Sequence, residues 1–193
     1  MRATFAALAL LCVAGCGRGG GFRRPDYAAQ AQAQCDEADA AGDPERALSL
    51  YGMALDADPR YARAYLGRAR VFEATGRAVL AERAYAMAIE AAQDDVRARY
   101  LLARALYLRK NGRIEPAVRD LDKAVSLLDA WPEPGGVGET RLLRAECRVH
   151  LHAWDGARED LDAADRAELN SEQRERSRSM RIRVDASKPE DRR

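Results

Sequence analysis

The chain has 193 residues, enough for one domain with short extensions, and 47% of them are apolar. Only 6% are aromatic, so most of the apolar share consists of small side chains, which favours closely packed helices over disorder. The 32 basic residues nearly balance the 31 acidic ones, which argues against nucleic-acid binding, because that function requires a basic excess. We therefore predict an all-α domain that binds no nucleic acid.

An apolar run of about a dozen residues follows Met1-Arg2. Because it is too short to cross roughly 30 Å of hydrocarbon, it predicts an export signal and not a membrane span. The run leads into Val13-Ala14-Gly15-Cys16, which resembles the lipobox of bacterial lipoproteins. The resemblance implies a signal peptide at residues 1–15, cleavage before Cys16 and acylation of that cysteine.

A lipid on Cys16 would hold the protein at a membrane. Its several tens of buried CH₂ groups would each contribute about 0.8 kcal/mol. In Gram-negative lipoproteins an aspartate after the cysteine marks inner-membrane retention, but Gly17 stands there, so the resemblance implies the outer membrane, facing the periplasm. Residues 16–27 are then a flexible basic linker. The alternative is ordinary cleavage after a small residue, which would leave Cys16 as a free thiol.

The following region repeats one pattern four times. An alanine is followed four positions later by a large residue and seven positions later by another alanine, which places all three on one face of a helix. The four stripes are Ala47-Tyr51-Ala54, Ala81-Tyr85-Ala88, Ala117-Leu121-Ala124 and Ala157-Leu161-Ala164. They are separated by 34, 36 and 40 residues.

A period near 34 residues, built from two helices, resembles the tetratricopeptide repeat. The resemblance implies an α-solenoid of about four helix-turn-helix repeats with a C-terminal capping helix. The implied repeats are about 28–61, 62–97, 98–130 and 138–170, and residues 171–193 form the capping helix and a disordered tail. Asn170-Ser171 can begin the capping helix, which has few apolar residues because no further repeat covers it.

Glycines stand five residues before three of the stripes, where the turn within a repeat needs a left-handed residue. These are Gly42, Gly76 and Gly112, and the fourth repeat has His152 instead. In the first repeat Asp43-Pro44 predicts the start of the second helix, and Asp58-Pro59 predicts its end.

A proline- and glycine-rich run from Trp131 to Gly138 predicts a loop before the fourth repeat. The loop is either a plain connection or a projecting contact element that carries Trp131.

We find no phosphate-binding loop, dinucleotide glycine pattern or nucleophile elbow, so we expect no enzyme activity, no catalytic residue and no cofactor. His150 and His152 would point about 200° apart on a helix and cannot easily share a metal, so we expect no metal site. Cys35 and Cys147 lie in repeats one and four, too far apart for a disulfide, and are expected to fill apolar space.

In tetratricopeptide domains the first helices of successive repeats line a concave groove. The corresponding positions here are basic at the centre with an apolar floor. The predicted peptide-binding groove consists of Arg63, Leu66, Arg70, Arg99, Leu102, Leu106, Arg109 and Lys110, and it continues through Glu139, Leu142, Glu146 and His150 in repeat four. Such a groove fits an acidic or carboxylate-ended segment with apolar anchors. The alternative is a solvated surface without a ligand.

These features together predict a membrane-anchored protein–protein interaction scaffold that assists assembly of a cell-envelope complex. Its partners would be envelope proteins or peptides in the concave groove, and its lipid would bind the membrane. The alternatives are a non-catalytic recruiting subunit of an envelope enzyme and a tethered spacer without a dedicated ligand.

Overall fold

The computed structural model describes residues 26–130 and 136–187, which form nine α-helices and no strand. The helices are α1 (Tyr27–Ala40), α2 (Pro44–Ala57), α3 (Ala62–Ala74), α4 (Ala78–Ala91), α5 (Asp94–Lys110), α6 (Ile114–Ala130), α7 (Gly136–His150), α8 (Trp154–Asp165) and α9 (Ser171–Ala186). The predicted signal peptide, the predicted lipidation site Cys16, Trp131 and the predicted tail from Lys188 lie outside the described residues.

The helices pack in consecutive pairs, α1 with α2, α3 with α4, α5 with α6 and α7 with α8. Adjacent pairs stack on one another, and α9 packs against both α7 and α8. The predicted all-α solenoid with a capping helix is confirmed. No helix in the two described segments is long and apolar enough to cross a bilayer.

The repeated stripes form the contacts within and between the helix pairs. Ala54, Ala88, Ala124 and Ala164 have no exposed surface, so neighbouring helices approach them closely. Tyr51 lies against Gly67 of the next repeat, where an added Cβ would overlap the tyrosine ring. The Tyr51 ring therefore fits in its position only because residue 67 of the following helix is a glycine.

Two of the three predicted turn glycines have left-handed backbone angles, with φ of 71° at Gly76 and 72° at Gly112. The prediction for Gly42 is wrong, because α1 ends in an extended conformation at Ala41 and the turn needs no positive φ. In the fourth repeat His152 takes the left-handed position itself, with φ of 57°.

The predicted helix ends in the first repeat are confirmed. Asp43 accepts a hydrogen bond of 2.7 Å from the Arg46 amide, Pro44 occupies the first turn of α2, and Asp58 follows its last residue. At the capping helix, Asn170 and Gln173 each accept a hydrogen bond from the other's backbone amide, both 2.9 Å long. This reciprocal capping fixes the start of α9.

The predicted loop before the fourth repeat is too long, because Gly136, Val137 and Gly138 belong to the first turn of α7. The Thr140 hydroxyl donates a 2.8 Å hydrogen bond to the Gly136 carbonyl. A Cβ on Gly138 would lie 2.6 Å from Leu169 Cδ2. Gly138 therefore allows Leu169 to pack closely against α7, and it does not interrupt the helix.

Cys35 and Cys147 are free thiols with no exposed surface, each inside an apolar cluster. Burial raises the pKa of each thiol to about 11, so both are protonated at neutral pH. The prediction that they fill apolar space is confirmed.

Candidate protein-binding surface

We use the name first-helix surface for the side of α1, α3, α5 and α7 that carries the predicted groove residues. Leu106 is 43% exposed on this surface, and Leu102 is half-buried. Leu66 is only 8% exposed and Leu142 is fully buried, since both belong to core clusters. The apolar floor offered to a ligand is therefore smaller than the sequence predicts.

Arg63 of α3 is held by two acids of α1. Its guanidinium lies 2.8 Å from a carboxylate oxygen of Asp36 and 2.5 Å from one of Asp39. The Tyr51 hydroxyl also donates a hydrogen bond to Asp39. Burial alone would raise the pKa of Asp39, but the hydrogen bonds from Tyr51 and Arg63 and the charges of Arg63 and Arg70 lower it overall.

Glu73, near the end of α3, is bound in the same way as Asp39, by a tyrosine hydroxyl and by a cation of another helix. It accepts hydrogen bonds of 2.9 Å from the Tyr85 hydroxyl and from the Lys110 ammonium group. Burial opposes its ionisation, but these two donors and the positive charge of Arg70 lower its pKa. Lys110 of α5 is thereby tied to α3.

Further ion pairs on this surface join α5, α7 and α9. Arg109 lies 2.5 Å from Glu146 of α7. Arg176 of the capping helix lies 2.8 Å from Glu146 and 2.9 Å from Glu139. Sequence reasoning missed Arg176, because nothing in the repeat pattern predicts which face of α9 packs against α7.

These contacts change the expected electrostatics of the surface. Arg63, Arg109 and Lys110 are not open cations, because each is paired with an acid of a neighbouring helix. Arg70 is exposed and has no ion pair or hydrogen bond within the described segments. Its positive charge contributes to lowering the pKa of both Asp39 and Glu73. Arg99 is also exposed, on α5.

A second set of polar contacts lies inside the third and fourth repeats. Arg104 makes two hydrogen bonds of 2.7 Å to Asp120, and Arg144 and Arg148 both bind Asp160. Asp120 and Asp160 are buried, and each directly precedes the large residue of its stripe. The shared spacing of 16 residues between Arg104 and Asp120 and between Arg144 and Asp160 is a signal that could have revealed them. They join the two helices within each pair, α5 to α6 and α7 to α8.

The geometry contains no candidate metal centre in the parts of the chain that the structure describes, since no three His, Cys, Asp or Glu side chains converge. His150 and His152 are both exposed, and the His152 ring contacts Trp154 edge-on at 5.3 Å between centroids.

Comparison with known proteins identifies the fold. Residues 40–105, from the end of α1 into α5, match the tetratricopeptide repeat family. No curated protein sequence matches the chain. Among solved structures, YrrB, described as a TPR protein with an unusual peptide-binding site, is 20% identical, with a TM-score of 0.56 and 86% of each chain covered.

The structure of pilF from Pseudomonas aeruginosa is 18% identical, with a TM-score of 0.47, and the match covers 85% of this chain and 94% of that one. The described helices thus have the tetratricopeptide-type α-solenoid fold, and residues 40–105 carry the sequence pattern of that family.

Proposed function

We propose that this chain is a membrane-anchored scaffold that helps a cell-envelope complex assemble by binding peptide segments of its partners on the first-helix surface. The observation that carries the proposal is that this surface exposes Arg70, a cation without an ion pair within residues 26–130 and 136–187, and Leu106, an apolar side chain. Around them, ion pairs between α1, α3, α5 and α7 fix the spacing of the helices.

The ligand chemistry follows from this arrangement. Most cations of the surface are neutralised by neighbouring acids, so a strongly acidic ligand would also be repelled by Asp36, Asp39 and Glu73. A segment with one carboxylate for Arg70 and an apolar side chain for Leu106 fits better. A pre-formed surface of this kind lowers the entropic cost of binding an extended segment.

The membrane anchor rests on the lipobox resemblance at Cys16, and the envelope setting rests on that anchor. In this arrangement the basic linker would keep the repeats within roughly 35–40 Å of the membrane when extended.

The test is co-purification from detergent-solubilised envelope, comparing wild type with the double variant Arg70→Gln, Leu106→Ser. The matched control is Arg119→Gln, which removes an exposed arginine of α6 that has no ion pair or hydrogen bond within the described residues. Loss of a bound assembly in the double variant alone supports the proposal, provided that the circular-dichroism spectrum is unchanged.

Other outcomes would replace the scaffold proposal. Recovery of a single enzyme or a glycan would make the chain a recruiting subunit, and recovery of nothing by wild type would make it a spacer. Equal recovery by the double variant would move the binding site elsewhere.

A further inference from the structure

A groove of about 400 Å³ lies between α3 and α4, away from the first-helix surface. Its α3 side is formed by Tyr65, Arg68 and Phe72, and its α4 side by Leu80, Arg83 and Met87. Because an α-helix turns by about 100° per residue, Arg68 points about 200° away from Arg70. The α3–α4 groove and the first-helix surface therefore lie on opposite sides of α3.

The α4 side of the groove exposes apolar side chains. Leu80 is 44% exposed and Met87 is 37% exposed, and they lie seven residues apart on one stripe with Arg83 between them. Val79, beside Leu80, is 82% exposed. Single exposed apolar residues are ordinary, but several around one concave groove are typical of a binding site.

The two arginines of the groove have no acidic partner. Neither Arg68 nor Arg83 makes an ion pair or a hydrogen bond within the described part of the chain. The Arg68 guanidinium lies 5.7 Å from the Phe72 ring centroid, and its Nε atom is buried without an acceptor. By contrast, Arg77 pairs with Glu45, and Arg113 lies 2.6 Å from Glu82.

No acid of the described residues neutralises these two guanidinium groups, and a carboxylate is the acceptor that an arginine binds best. The chain's own N-terminal linker cannot supply it favourably, because Arg18, Arg23 and Arg24 would be repelled by the groove's two arginines. The groove volume is near the lower end for ligand pockets, so it suits a few side chains of an extended segment.

We propose that the α3–α4 groove is a second docking site, which binds a short segment of a partner protein that carries acidic and apolar side chains next to each other. The acid binds Arg68 and Arg83, and the apolar side chains cover Leu80 and Met87. Two sites on opposite sides of α3 would let one chain hold two segments at once. The proposal does not depend on the ligand of the first-helix surface.

The experiment selects a phage-displayed library of random nonapeptides on the full-length chain in detergent, and then measures the affinity of the enriched peptides as synthetic, fluorescein-labelled probes. We expect enriched peptides that combine glutamate or aspartate with leucine or phenylalanine. Arg83→Gln should weaken their binding by about tenfold, since it removes one charged contact. Arg83 is exposed and has no ion pair or hydrogen bond in the structure described here, so this variant should fold normally.

Arg70→Gln and Arg119→Gln are the matched controls and should leave this binding unchanged. If every enriched peptide lost affinity with Arg70→Gln and none lost affinity with Arg83→Gln, all of them would bind the first-helix surface, and the proposal would be overturned. A library without acidic enrichment would also overturn it. Self-association that Arg83→Gln abolishes would assign the groove to a second copy, and binding of phosphatidylglycerol vesicles in place of peptides would assign it to a membrane. Either result would contradict a peptide site.

Discussion

At the scale of single residues, Gly67 shows how closely two repeats fit. A side chain at this position would overlap the ring of Tyr51, whose hydroxyl binds Asp39. Gly67 is part of a helix, where glycine is otherwise unfavourable relative to alanine. Glycine at this position therefore lowers the helix propensity of α3 but allows α2 and α3 to pack closely.

Gly67→Ala should lower the free energy of unfolding by about 2 kcal/mol, because the Tyr51 ring must move. Gly52→Ala is the matched control, since a Cβ there meets nothing within 4 Å. It should raise stability by about 0.5–1 kcal/mol. Urea unfolding measures both changes. Combining Gly67→Ala with Tyr51→Leu, the residue type of the third and fourth stripes, should recover part of the loss. A stabilising Gly67→Ala would contradict the close contact.

His152 carries backbone strain that Gly76 and Gly112 avoid in the corresponding turns. Its φ of 57° brings its Cβ close to backbone atoms, at a cost of about 1–2 kcal/mol. The edge-on contact with Trp154 offsets part of this cost.

Comparing His152→Gly with His152→Ala separates strain from ring contact, because both variants lose the ring and only glycine relieves the strain. We expect the glycine variant to be more stable than the alanine variant by about 1 kcal/mol. Thermal unfolding followed by circular dichroism provides the measurement. Equal stability would mean that the left-handed turn carries no strain.

At the scale of the helices, the carboxylate of Glu73 connects α3 to both α4 and α5. Its partners Tyr85 and Lys110 lower its pKa below the usual value of 4.5 in spite of burial. A depressed folded-state pKa stabilises the fold above the unfolded pKa, and this contribution is lost as pH falls through the folded value.

Glu73→Gln should therefore lower stability at pH 7 and reduce the loss of stability between about pH 5 and pH 3. Glu90→Gln serves as the control, since Glu90 is exposed and has no ion pair or hydrogen bond within residues 26–130 and 136–187. Urea unfolding at a series of pH values tests this. If the free energy of unfolding of Glu73→Gln depended on pH in the same way as that of wild type, the ionisation of this carboxylate would contribute nothing to stability.

The helix pairs themselves follow from local signals in the sequence. The repeated stripe predicts the buried face, and residues such as Asp43 and Asn170 predict where helices begin. The ion pairs of Lys110 with Glu73 and Arg109 with Glu146 could not be predicted, because they join positions 37 residues apart. Their formation depends on how far one repeat is shifted along the next. The stripe residues do not encode that shift.

At the scale of the whole molecule, the ion pairs run from α1 to α9 across the first-helix surface and leave few of its charges open. Composition predicts a nearly neutral protein, but it does not predict that acids and bases alternate between neighbouring helices. This arrangement weakens the nonspecific electrostatic attraction of ligands of either charge. In the proposed binding mode, recognition would rest on Arg70 and on exposed apolar residues such as Leu106.

The proposed lipid anchor would determine where in the cell such a surface works. Cys16→Ser should abolish metabolic labelling with a fatty acid and release the protein from the membrane fraction, because acylation requires the thiol. Cys12→Ser is the control and should leave labelling intact. Continued labelling of Cys16→Ser would contradict the lipoprotein interpretation.

The most direct measurement places a photo-reactive benzoylphenylalanine at position 106 and irradiates living cells. If the first-helix surface binds an envelope partner, Leu106 faces the bound segment, and we expect one discrete cross-linked product that mass spectrometry identifies as an envelope protein. The same probe at position 119 of α6 should give none of this product. A product at position 119 and none at position 106 would contradict binding on the first-helix surface.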